Sequence, residues 1–110
     1  MRTYDIEEKE FPNSLDALVV ALCRDYPRRD MALKDGSVSR RTAMEYTYIN
    51  LRVFDGAAEI VGADDALSYI KEIGEKIGYA FTALDVSERS YKLAKAAVKR
   101  NIARKLHLCD

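Results

Sequence analysis

Apolar side chains recur along this chain at intervals of three and four, the spacing that stacks residues on one face of an α-helix. Leu15, Leu18, Val19, Leu22 and Tyr26 make the first such stripe and predict a helix over 14–26. Asn13 or Ser14 is placed to cap it, and Asp16 suits its positive end. Pro27 cannot continue that helix and forces a turn, but it can open a short helix near 28–34. Asp35-Gly36-Ser37 is the next break.

The longest pattern runs over 39–61 and stops at Gly62. Met44, Tyr48, Leu51, Ala58 and Val61 mark one face of it, with Phe54 or Asp55 between; Tyr46, Ile49, Val53, Ala57 and Ile60 mark another. A helix apolar on so much of its surface is either the central post of a bundle or half of a dimer interface. For the dimer, Tyr46, Tyr48 and Val53 are the expected contacts. Gly56 would let another helix cross closely. Asn50 interrupts the apolar surface; it either pairs with its own symmetry mate or bonds to backbone within one subunit.

A third helix is predicted over 65–77, capped by Asp64, with Leu67, Ile70, Ile73 and Ile77 inward and Gly78 as its end. Tyr79 to Leu84 then forms a loop whose two aromatics tuck under the bundle. The last helix, 87–107, carries Tyr91, Ala94, Val98, Ile102 and Leu106 on one side and Arg89, Lys92, Lys99, Arg100 and Arg104 on the other. Asp85 or Ser87 caps it, and Asp85 with Glu88 fits a capping box. No alternating β-branched run and no Asn-Gly turn interrupts this picture. The expected fold is all-α, a single-domain bundle of four main helices over residues 12–110, with a loosely ordered arm at 1–11. Leu18, Leu22, Leu51, Phe54, Ile70, Ile73, Val98 and Ile102 should share its core.

Composition changes this picture little. With 48% hydrophobic and 33% charged residues in 110, the chain is apolar enough for one real core. Eighteen basic and eighteen acidic residues cancel, so no global field steers it to nucleic acid or membrane. The charge is segregated, however. Residues 24–41 hold six basic and three acidic groups, net +3, and residues 84–110 hold seven and three, net +4, on an otherwise acidic chain. Such blocks are either a binding surface or the way the domain solvates its faces.

Chemistry is sparse. Cys23 and Cys109 make no disulfide framework and suit a cytoplasmic location, and the first ten residues lack an apolar signal core. His107 could pair only with Cys109, which supplies two metal ligands where a site needs more. There is no Gly-rich phosphate loop. The expectation is therefore no catalytic residue, metal, cofactor, small-molecule substrate or membrane span.

At Ser87-Glu-Arg-Ser-Tyr-Lys-Leu-Ala-Lys-Ala and on to Leu106, the chain resembles the recognition-helix end of ArpU-type phage transcriptional regulators, relatives of the promoter-reading domain of sigma factors. Ser87, Arg89, Ser90 in place of Thr, Tyr91, Lys95, Ala96, Ala103 and Leu106 carry the likeness. It implies that Ser87 and Arg89 approach DNA, with Lys92 and Lys95 beside them. Lys99 and Arg100, on the same basic face, complete the predicted nucleic-acid site. The departure is the stretch from Gly78 to Asp85, too long for the turn of a helix-turn-helix. Upstream, Tyr26-Pro-Arg-Arg and Ser37 to Tyr46 resemble small proteins of Gram-positive bacteria and their mobile elements. Two functions are thus expected: a regulator of phage or mobile-element origin that binds duplex DNA, or a homodimeric protein-interaction bundle without nucleic acid.

Overall fold

A computed structural model describes residues 11–109. Among them the chain forms α1 (Asn13–Arg24), α2 (Tyr26–Asp35), α3 (Arg40–Val61), α4 (Ala63–Gly74), a 3-10 turn at Tyr79–Phe81 and α5 (Glu88–Lys105). The all-α reading holds, with the short second helix longer than expected. The arm predicted at 1–11 lies outside the described residues except for Phe11, which packs against the core.

α3 is the central post. It packs against α5, α4 and α2, and α1 lies across α4 and α5. The core is built from Val19, Val20 and Cys23 of α1, Val53 and Ala57 of α3, Ala66, Ile70 and Ile73 of α4, and Val98, Ile102 and Ala103 of α5. Gly56 permits a close crossing of α3 and α5, because a Cβ there would stand 2.8 Å from Ile102 Cα. Gly74 does the same against α1, where a Cβ would meet the Arg24 backbone N at 2.6 Å. The buried Asn101 secures the first crossing by donating from Nδ2 to Gly56 O and Glu59 Oε1, both at 3.0 Å.

Several expectations about register need correction. Leu18, Leu51 and Leu67 are exposed rather than buried, and Leu22 and Phe54 are only partly covered. α1 is covered by two helices, α4 and α5, so its buried arc centres on Val19 and Cys23 and leaves Leu18 outside. α3 turns its Val53, Gly56 and Ala57 arc inward, which puts Val53 at the core and sends Leu51 out.

The helix ends differ too. α1 stops at Arg24, not at residue 26, and Tyr26 opens α2 with Pro27 in its first turn. Pro12 precedes α1 as its N-cap, so Asn13 and Ser14 are already helical and neither caps it. Gly62 serves α4 the same way, and Asp64 lies inside the first turn rather than at the cap. α4 ends at Gly74, short of the expected 77, and the chain reverses at Lys76, whose φ is 57°. Ile77 N–H bonds Glu72 O at 2.9 Å and Lys76 N–H bonds Ile73 O at 3.2 Å, the double bond of a Schellman turn, so Gly78 is not the stop. α5 closes in the same manner two residues early, with His107 at φ 60° and Leu108 N–H on Ala103 O at 2.8 Å. Ser87 caps α5, its Oγ accepting from Ser90 N–H at 3.2 Å, and Asp85 takes no part.

Candidate functional site

The predicted nucleic-acid residues are all on α5 or at its cap, but the structure uses them unequally. Ser87 is occupied as the N-cap. Arg89 is exposed, and Lys92 is exposed and paired with Glu88 at 2.8 Å. Lys95 turns back across the Tyr91 ring and donates to Ile77 O at 2.7 Å, and burial holds its pKa below the ordinary lysine value. Lys99 reaches Asp16 of α1 at 2.7 Å. Arg100 stacks over Phe11, 5.1 Å from the ring centre. Lys105, one turn further, is bonded to Glu59 of α3. Much of the basic face therefore clamps α5 to its neighbours rather than pointing outward.

The first basic block is divided in the same way. Arg29 is buried; its Nε donates to Asn50 Oδ1 at 2.7 Å and its Nη2 to Leu22 O at 2.5 Å. Asn50 also donates to Tyr26 O at 3.3 Å, so its amide ties α3 to the α1–α2 corner within one subunit. Arg28 donates to the Tyr46 hydroxyl at 3.2 Å and pairs with Asp25. Arg29 thus offers no charge to a partner, while Arg24, Arg40 and Arg41 are exposed.

A polar knot that pattern reading missed lies under the α4–α5 connection. Glu72 is buried, and its carboxylate accepts from Thr82 Oγ1 at 2.6 Å, from Ala83 N–H at 3.0 Å and from the Tyr91 hydroxyl at 2.7 Å. Burial pushes its carboxyl up, but these hydrogen bonds and the Lys95 charge outweigh burial and hold it below the ordinary 4.5. Burial and the Glu72 carboxylate drive the Tyr91 hydroxyl up to about 12, so it remains a donor. Tyr79 packs near Tyr91 at 5.8 Å between ring centres and donates to Val86 O at 2.9 Å. Tyr79 tucks in as expected; Phe81, 83% exposed, does not. The missed signal was a carboxylate between Tyr69, Ile70 and Ile73 on an inward-facing helix.

Burial raises the Cys23 thiol to about 12, which leaves it protonated and inert. Among the described residues no three His, Cys, Asp or Glu side chains group to hold a metal, and no helix is long and apolar enough to cross a membrane.

Three of the exposed large apolar side chains lie together on the outward face of α3. Met44 is 67% exposed, Leu51 54% and Tyr48 41%. They stand at successive turns on the side opposite Val53 and Ala57. Shallow grooves flank them, one along Met44, Glu45, Tyr48 and Ile49 and the other along Arg40, Ala43, Met44 and Thr47. The Arg52 guanidinium lies over the Tyr48 ring at 3.6 Å and holds it in place. Of the contacts expected for a dimer, only Tyr48 is on this face. Val53 is fully buried and Tyr46 carries the Arg28 cation at 5.5 Å. No protein-family model, curated protein or solved structure matches this chain.

Proposed function

We propose that this protein is a protein-interaction module that docks an amphipathic helix on the outward face of α3. The observation that carries the reading is the exposure of Met44, Tyr48 and Leu51 in one line. Large apolar side chains left together in water mark a docking surface, and this spacing is the one by which helices exchange apolar anchors. The cations of α5 support a nucleic-acid role less, because Lys95, Lys99 and Lys105 are engaged within the fold. Glu72, Tyr91 and Asn50 likewise serve the fold.

The test is a photo-crosslinking amino acid in place of Tyr48, with the same group in place of the exposed Lys71 on α4 as control. Irradiation in the expressing cell should give a protein adduct from the first site and none from the second. Equal yields from both sites, or no adduct, would overturn the reading. So would salt-sensitive binding of generic duplex DNA that disappears when Arg89 and Lys92 are changed to Glu.

A further inference from the structure

The outward face of α3 has an order that points to its occupant. Along one line it reads Arg40, Met44, Tyr48, Leu51, Asp55. A cation stands at one end, a carboxylate at the other, and apolar groups lie between. Both charged ends are exposed. Fifteen residues separate them, about 22 Å at 1.5 Å per residue. Glu45 and Arg52 lie together on one flank of the line. Such a face is complementary to itself when one copy is turned end for end.

Resting on the interaction reading above, we infer that the occupant is a second copy of this chain, whose α3 packs antiparallel across a two-fold axis between Thr47 and Tyr48. In that register Met44 lies opposite Leu51 of the partner subunit, and Leu51 opposite the partner's Met44. Arg40 comes opposite the partner's Asp55 at both ends. Because the axis is perpendicular to both helices, it keeps each flank on its own side. Glu45 therefore stands within one helical turn of the partner's Arg52. The two flanking grooves receive the partner's apolar side chains at the usual separation of about 8–10 Å between helix axes. A parallel pair would set Arg40 against the partner's Arg40 and lose all these pairings. An unrelated apolar helix would satisfy Met44 and Leu51 but gives no reason for opposite charges at the two ends.

The test uses sedimentation equilibrium on two variants whose altered residues are exposed, so the fold is unaffected. One is Arg40→Glu with Arg41→Glu; the other is Asp55→Arg. In the first, both ends of a homodimer are acidic; in the second, both are basic. In an equimolar mixture opposite charges meet again at both ends. The glutamate introduced at position 40 of one variant faces the arginine introduced at position 55 of the other, and the unaltered Asp55 faces the unaltered Arg40. The wild-type mass should rise from 12.5 kDa toward twice that value with concentration. Each variant alone should associate at least about tenfold more weakly, and the mixture should return to the wild-type constant. A mixture as weak as its components, variants that associate as well as wild type, or a wild-type monomer at about 1 mM would each overturn the inference. A crosslink from position 48 to a different protein, with wild type monomeric, would sink the self-pairing and leave the interaction reading standing.

Discussion

Changing Gly56 to Ala should destabilise the protein, although in an isolated helix the same change would help. A Cβ at this position falls 2.8 Å from Ile102 Cα, 2.8 Å from Ile102 Cγ1 and 3.0 Å from Ile102 N. Carbon atoms in contact sit at about 3.5–4.0 Å, so α3 and α5 must separate by roughly 1 Å. Two of the three atoms met are backbone and cannot rotate away. Overpacking of this kind costs about 1–3 kcal/mol. The separation also weakens the 3.0 Å bond from Asn101 to Gly56 O, a net contribution of about 0.5–1.5 kcal/mol, while the amide keeps its bond to Glu59. Against this, Ala gains about 1 kcal/mol of helix propensity over Gly. The net loss should be about 1–3 kcal/mol, or roughly 4–8 °C in Tm for each kcal/mol in a domain near this size. Urea unfolding followed by circular dichroism at low protein concentration would measure it. Gly78→Ala is the control, since it has nothing within 4 Å and an ordinary φ of −84°. It should be neutral or more stable by about 0.4–1 kcal/mol. If the two variants proved equally stable, the close crossing at Gly56 would not be what holds α3 to α5.

Replacing Ile73 with Ala should cost about 2–5 kcal/mol, because its side chain is buried where α4 meets α1. Leu51→Ala on the outward face should stay within about 0.5 kcal/mol when measured below the concentration of self-association. The folded-state pKa of Glu72 is held below its ordinary 4.5, so its ionised form adds stability above that pH and the contribution is lost as pH falls through the folded value. Glu72→Gln should therefore be less stable than wild type by about 1–3 kcal/mol at neutral pH, and the gap should close below about pH 4.5. A gap that stayed constant from neutral pH to about pH 3 would mean that the carboxylate charge is not what secures the α4–α5 connection.

Helix content, a corner close to Pro27, the stop at Gly62 and the buried stripe of α5 were legible from spacing alone, since period and helix breakers are local properties of a chain. Ile70, Ile73, Val98 and Ile102 were legible for the same reason. Gly56 could be named as a crossing point, but the helix that crosses it could not, because Ile102 lies far along the chain. The choice of which apolar arc of α1 and α3 turns inward belonged to the tertiary structure. Leu18 and Leu51 are as hydrophobic as Val19 and Val53, and only the direction of the neighbouring helices separates them. The fate of the charges was decided at that level too. A lysine reads the same in sequence whether it faces water, as Lys92 does, or bends over Tyr91 to a backbone carbonyl, as Lys95 does. Burial of Glu72 against Thr82, Ala83 and Tyr91 needs two segments brought together by the chain reversal at Lys76. The order of Arg40, Met44, Tyr48, Leu51 and Asp55 was present in the sequence all along; it became a surface only once Val53 and Ala57 had claimed the opposite side of α3.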